Sequence, residues 1–475
     1  MLSSVEKEAS DDGNNNNNNN YYWQACNSIA EQIESSKNPL SIKQVLKVVR
    51  QVASEYHLDT IPRNEHIIHY LQDDHYRRLL MVKPVKTASG VAVIAVLPKP
   101  YACPHGRCIY CPGGIEFNTP LSYTGTEPAT KVAQRFSYDP YRQVRSKMDQ
   151  LQSRGHDTGK TEIVIVGGPF PFMPADYQRE FAKSCYDALN GKKSFTLQQA
   201  VATNETAYNR CVGFTVETKP DYCKEPHIDL MLELGVTRIE IGVQSLDNNV
   251  YRLVNRGHTL DDVVHAFKIA RDAGYKIVAH MMPGLPGSSS KKDIGDFRRL
   301  FEDDAFKPDM LKIYPTLVLE HTGLFKMQRS GKYQEYSEDE LVNVIVEAKK
   351  AVPEWVRIMR IQREIESEDI IAGPKSGNFR QIVFKKLRQQ GYRCKCIRCR
   401  ETGLQRRYPS EDGIILKRTD YSASGGREIF LSHETKAGDT ILGFLRLRKV
   451  ARTSRASPIQ ERTPITRAIG MMLPC

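Results

Sequence analysis

Long apolar runs are missing from this sequence. No stretch approaches the ~20 apolar residues that a membrane-spanning helix needs, which excludes a helical membrane protein. A secretory signal is missing too: residues 1–20 are acidic and then poly-Asn, with no apolar core. That argues against a secreted, disulfide-stapled fold and for a cytoplasmic protein whose thiols stay reduced. The same 20 residues have too little apolar content to fold, so we expect a disordered tail there. Charge of one sign is not in great excess either. Lys and Arg number 68 against 56 acids, a net +12 that points only weakly to nucleic acid. With 475 residues, the chain has room for two or three domains and one large central core.

What the sequence does have is cysteine in clusters. Eleven are present, in two tight groups plus scattered singles. The first group is Cys103, Cys108 and Cys111 in Tyr101-Ala102-Cys103-Pro104-His105-Gly106-Arg107-Cys108-Ile109-Tyr110-Cys111-Pro112-Gly113-Gly114, directly after an apolar run that reads as a strand. Three thiolates in one short loop can hold three irons of a four-iron cluster and leave the fourth open for a small chelating molecule. Ordinary clusters take four cysteines, so three are informative. A closed zinc site would need a fourth ligand, and His105 is too near in sequence to be an obvious one. A disulfide would need an oxidising compartment.

Residues 21–82 read as helical. Ile42, Val45, Leu46, Val49 and Val52 recur at helical spacing with Lys43, Lys47 and Arg50 between them, a solvated face or a nucleic-acid surface. The centre then alternates strands and helices. Strands are expected at 91–97, 162–166, 212–216, 236–243, 276–282 and 310–314, with periodic helical segments at 260–273 and 338–351. Six such units predict an α/β fold of parallel βα units, closed or partly closed into a (βα)6-type barrel, in which the active site gathers at the C-terminal strand ends. The cysteine loop follows the first strand, at that end. Gly167-Gly168-Pro169, Glu217-Thr218-Lys219-Pro220, Gln244-Ser245 and Pro283-Gly284-Leu285-Pro286-Gly287 follow later strands. Each alone only punctuates a turn, and their recurrence is the signal.

The second group, Cys394, Cys396 and Cys399, lies in the most basic stretch of the chain, with Arg380, Lys385, Lys386, Arg388, Arg393 and Arg398. Zinc with one distant ligand is the leading reading, a second iron–sulfur cluster the competitor. His280 is the candidate fourth ligand. A cationic stretch beside a metal knuckle suits a phosphate backbone, although a solvated linker is also compatible.

The Cys-x4-Cys-x2-Cys spacing with Tyr110 before the last cysteine resembles the radical S-adenosylmethionine superfamily. There the open iron takes the amino and carboxylate groups of S-adenosylmethionine, and the aromatic residue lies near the adenine. Longer motifs at residues 83–93, 122–128, 217–223, 237–245, 255–259 and 279–287 resemble the family of the Elongator catalytic subunit. They include Glu217-Thr218-Lys219-Pro220-Asp221-Tyr222-Cys223 and Asn255-Arg256-Gly257-His258-Thr259. The similarity runs from about Lys83 to about Arg448 and looks like the archaeal or bacterial single-subunit form.

The resemblance implies a radical tRNA carboxymethyluridine synthase. From acetyl-CoA, S-adenosylmethionine and water, the family makes 5-carboxymethyluridine at the wobble position of the tRNA anticodon stem-loop. A 5′-deoxyadenosyl radical would take hydrogen from the acetyl methyl group, and the resulting carbon radical would add to C5 of uridine. By the same resemblance, Cys103, Cys108 and Cys111 become ligands of a 4Fe-4S cluster, and Lys160 aligns with a lysine that contacts acetyl-CoA. Glu217, Gln244 and Ser245 become candidates for positioning S-adenosylmethionine. Gly167-Gly168-Pro169 stands where the family usually has Gly-Gly-Thr, which removes a backbone donor. The implied layout is a tail (1–20), a helical tRNA-binding segment (21–82), a radical domain (83–365), a basic zinc-binding linker (366–420) and an incomplete acetyltransferase-like domain (421–475). Residues 425–432 and 441–448 look like the first two strands of that last domain. After Val450 no Gly-x-Gly loop follows, and residues 451–475 are too few for its other elements, since a domain seldom falls below ~50 residues. The alternative expectation is therefore a silent tRNA- and cluster-binding remnant. A homodimer and accessory subunits are both compatible with the sequence.

Overall fold

A computed structural model of the protein describes residues 16–405, 413–450 and 467–472. The chain forms two compact units. One takes the residues up to Ala92 together with Ser146–Lys160; the other takes Val93–Arg145 and the chain from Thr161 on. No helix among the described residues is long and apolar enough to cross a membrane.

In the first unit, α1 (Asn16–Glu34), α2 (Ile42–Glu55), α3 (Asn64–Ile68) and α4 (Asp74–Leu80) enclose a small core. Cys26, Ile29 and Ile33 of α1 meet Val45, Val49 and Val52 of α2, with Ile67, Ile68, Tyr76 and Leu80 closing the cluster. Two expectations need correction. Helix α1 begins at Asn16, inside the expected disordered tail, because a helix with one packed face propagates cheaply into mediocre helix formers such as Asn. Residues 1–15 lie outside the described residues. In α2 the buried line is Val45, Val49, Val52 and Ala53, while Ile42 and Leu46 remain 38% and 39% exposed. The stripe is narrower than the sequence suggests, and Lys43, Lys47 and Arg50 extend its exposed side.

The second unit is built on seven strands in the order β1-β2-β3-β4-β5-β6-β8. They are β1 (Ala92–Val96), β2 (Lys160–Ile165), β3 (Arg210–Thr218), β4 (Arg238–Gln244), β5 (Lys276–Met281), β6 (Met310–Ile313) and β8 (Arg357–Arg360). From β3 to β8 every pairing is parallel. Strands β4 and β6 are buried almost throughout, as expected of a parallel sheet covered on both faces. The fold is thus the expected α/β partial barrel, open between edges β1 and β8. It has one strand more than the six anticipated, because Arg357-Ile358-Met359-Arg360 is too short and too charged to read as a strand.

Two short strands, β7 (Val318–Leu319) and β9 (Ile370–Ala372), pair with each other. A separate antiparallel sheet contains β10 (Ile414–Ala423), β11 (Gly426–Thr435), β12 (Ile441–Lys449) and β13 (Arg467–Met472). Strands β11 and β12 match the two expected near 425–432 and 441–448. Strand β10 starts inside the stretch read as linker, and β13 pairs with β12 in the tail where no further strand was expected. Buried ion pairs tie this sheet to the barrel. Arg446 meets Asp309, and Arg448 bridges Glu428 (2.6 Å) and Asp272 (2.7 Å).

Candidate active site

The cysteine loop leaves β1 and folds back under itself. Ile109 fixes it at both backbone atoms: its N–H donates to the Val254 carbonyl (3.1 Å), and its carbonyl accepts from the Leu324 N–H (2.6 Å). Cys108, Tyr110 and Cys111 are buried among Val250, Val254, Met282 and Leu324. Gly113 closes the loop at φ +71°, where a Cβ would stand 2.5 Å from the Tyr123 carbonyl oxygen. Only glycine fits that approach.

Two buried cations lie beside the loop, near Cys108 and, through His105, near Cys103. His105 sits between two of the three sulfurs, with Nδ1 3.2 Å from Cys103 Sγ and Nε2 3.3 Å from Cys108 Sγ. Buried Lys219 approaches His105 Nδ1 (2.9 Å) and pairs with Asp221 (3.1 Å). Buried Arg256 donates to Cys108 Sγ (3.5 Å) and to the Gly242 carbonyl (2.6 Å). Burial alone would raise the Cys108 thiol, but Arg256 and His105 overcome it and hold it at about 6. Burial and the neighbouring Cys108 push Cys103 up to about 12, while Cys111 is raised by burial.

Polar groups from successive strand ends lie in the same unit. The Gly167 N–H donates to Glu217 Oε2 (3.2 Å) at the end of β3. Gln244 ends β4 at φ +73°, where the β4–β5 register shifts, and its carbonyl accepts from Met282 N–H (2.8 Å). A left-handed glutamine is uncommon and strained. The Ser245 hydroxyl donates to Asp296 (2.9 Å), so it already has a structural partner. Several buried polar atoms have no partner at all: Tyr101 OH, Tyr110 OH, Gln244 Oε1, Arg256 Nε and both ring nitrogens of His258. Such orphans are costly, and their concentration around one loop fits a site built for a polar group.

The remaining sequence candidates fall elsewhere. Lys160 opens β2, is exposed and belongs to the first unit. His280 does not join the second cysteine group. It lies on β5, hydrogen-bonded to Glu240 (2.8 Å), in a cluster with Glu217. The Lys312 ammonium also bonds Glu240, so a cation already occupies that cluster. Cys394, Cys396 and Cys399 keep their ligand atoms within 4.8 Å of one another, the spacing of one small ion. Buried Lys349 points its ammonium at Cys394 (3.3 Å) and Cys399 (3.9 Å). No fourth His, Cys, Asp or Glu joins this group among the described residues.

Three thiols on the loop after the first strand of an open parallel barrel define a radical S-adenosylmethionine enzyme. The model of the Radical SAM superfamily matches residues 98–300, and the Radical_SAM C-terminal domain matches 308–389. An ELP3 N-terminal domain matches residues 22–88. The chain belongs to the family of Elongator complex protein 3 and tRNA uridine(34) acetyltransferase. It is 44% identical to the tRNA uridine(34) acetyltransferase of Methanocaldococcus infernus, over 86% of this chain and 78% of that one. Against Elongator complex protein 3 of Schizosaccharomyces pombe it is 40% identical, over 94% of this chain and 85% of the other. The solved archaeal Methanocaldococcus infernus Elp3 with an N-terminal deletion (1–46) superposes with a TM-score of 0.68 at 42% identity, covering 77% of this chain and 79% of that one.

The sequence places Lys219, Glu240 and Arg256 inside motifs of the resemblance but gives none of them a role, and Lys312 lies outside those motifs. Arg256 stands 148 positions from the cysteine it contacts. Besides the motif that contains it, its local signal is the following glycine, Gly257 at φ +73°, whose added Cβ would strike His105 at 2.6 Å.

Proposed function

We propose that this chain modifies the wobble uridine of tRNA, forming 5-carboxymethyluridine from acetyl-CoA, S-adenosylmethionine and water. The observation that carries the proposal is the three-thiol loop, flanked by buried cations and orphaned polar atoms, in a chain of this family. Cys103, Cys108 and Cys111 would hold a four-iron cluster, and the donor set fits: soft thiols that leave one iron free. With S-adenosylmethionine bound there, that group supplies the carbon-radical chemistry that no ordinary side chain provides. The protein's part is to bind and orient. Glu217, braced by the Gly167 amide, and the left-handed Gln244 would position S-adenosylmethionine, while Ser245 supports the same strand end through Asp296. Pro169 offers no N–H for that task.

Lys160 would contact acetyl-CoA. Cys394, Cys396 and Cys399 would hold zinc, with Lys349 balancing the thiolate charge. The anticodon stem-loop would meet the basic residues that flank Cys394, Cys396 and Cys399, among them Arg388, Arg393 and Arg398. On this reading the enzyme works in the cytoplasm, where its thiols stay reduced.

The test is acetyl-CoA hydrolysis by the anaerobically reconstituted protein, with and without tRNA. Turnover stimulated by tRNA is expected. Bound tRNA with no turnover would favour the silent cluster- and tRNA-binding reading instead.

A further inference from the structure

A buried guanidinium with no carboxylate beside it is expensive, because removing an arginine from water is offset only by a close counter-charge. Arg256 is in that position. It is 7% exposed, and among the described residues no carboxylate pairs with it. Its contacts are the Gly242 carbonyl and Cys108 Sγ, and its Nε has no partner. The backbone makes room for it: at Gly242 an added Cβ would stand 2.4 Å from the guanidinium. Strand β4 thus carries a glycine where a terminal nitrogen of this arginine comes close.

A second buried cation reaches the same sulfurs indirectly. Lys219 approaches His105, whose ring bridges Cys103 and Cys108. Lys219 also has Asp221 for a partner, so less of its charge is left over. Beyond the neutral Gly242 carbonyl, Arg256 has only the Cys108 sulfur.

We propose that Arg256, seconded by Lys219 through His105, is the counter-charge of the iron–sulfur cluster and sets its reduction potential. The inference rests on the cluster reading of Cys103, Cys108 and Cys111 and goes beyond it. Three thiolates on a four-iron cluster leave the site anionic, and each electron added makes it more so. A fixed positive charge a few ångströms away, in a buried and weakly screened place, favours the reduced form. Arginine suits this role because its guanidinium stays charged when buried. Neither residue touches the reacting atoms in this account. Both act through the cluster, as tuning residues.

The test is a redox titration followed by electron paramagnetic resonance on the full-length reconstituted protein, with iron content measured in parallel. The variants are Arg256→Gln, Arg256→Lys and Lys219→Gln. Arg256→Gln is expected to shift the midpoint potential to a more negative value. Arg256→Lys should recover part of the shift, and Lys219→Gln should shift it in the same direction by less. A merely structural role would lower iron uptake and leave unchanged the potential of whatever cluster forms; that result overturns the proposal. If Arg256→Gln takes up no iron, Lys219→Gln decides: a negative shift supports the proposal and an unchanged potential overturns it. A parent protein that itself binds no iron contradicts the cluster reading, and the proposal falls with it.

Discussion

Asp293 is a carboxyl kept from water, and three hydrogen bonds aim at it: from the Gly284 amide (2.8 Å), the Ser288 hydroxyl (2.6 Å) and Tyr336 OH (2.9 Å). Burial raises it from 3.8 to about 6 despite those donors. A carboxyl whose folded value lies above its unfolded one favours the folded state most when protonated. Its contribution is present below about pH 4 and is lost as pH rises through 6, by up to ~3 kcal/mol. Asp293→Asn keeps one acceptor oxygen for the Gly284 amide and Tyr336, turns its NH2 to the Ser288 hydroxyl, which can accept, and cannot ionise. Its stability relative to the parent is therefore expected to rise between pH 4 and 7, as read by denaturant titration at each pH. At this scale the sequence was legible where chemistry is local. The cysteine triplet sits within nine residues and announces itself, whereas Arg256 and Lys219 reach it only through the fold. No spacing in the sequence says that a cation will be buried without a carboxylate.

Strand β4 shows the same division among elements. Its apolar residues placed it correctly, as they did β1, β2, β3, β5 and β6; β4, β5 and β6 are buried almost throughout and read as apolar runs, while β1 alternates buried and exposed residues. The irregularity at its end was not legible, since a left-handed Gln244 is imposed by the register shift against β5. Strand β8 was missed because its charged ends hide a single buried residue, Ile358. A left-handed non-glycine residue costs of order 1–3 kcal/mol. Gln244→Gly should therefore stabilise the cluster-free protein by about 1 kcal/mol in thermal unfolding. The same change removes the orphaned Oε1, so S-adenosylmethionine should bind several-fold more weakly by calorimetry. Tighter binding would remove Gln244 from the cofactor site.

At the scale of the whole molecule, the terminal sheet is joined to the barrel by charge buried on both sides. Asp309 accepts from Arg446 and lies 3.8 Å from Arg271, while its other oxygen accepts from the Ile277 amide (2.8 Å). Burial pushes its carboxyl up, and the two arginines more than reverse that, leaving it below the ordinary range. Removing one partner of such a network strands the others, at about 3–5 kcal/mol. Asp309→Ala should lose about that much in chemical unfolding, and the pair Asp309→Leu with Arg446→Met should lose less. None of this joint was visible in the sequence. Its residues lie 137 positions apart, and each alone reads as a surface charge.

The central claim is that the Cys103 loop drives chemistry on a tRNA uridine. The most direct measurement is mass spectrometry of nucleosides from tRNA incubated anaerobically with the reconstituted protein, acetyl-CoA, S-adenosylmethionine and a reductant, beside the Cys103→Ala variant. The account predicts 5-carboxymethyluridine at the wobble position with the parent protein and none with the variant. Modified uridine at equal yield from both, or unmodified tRNA from a parent protein that holds its cluster and binds tRNA, would contradict it.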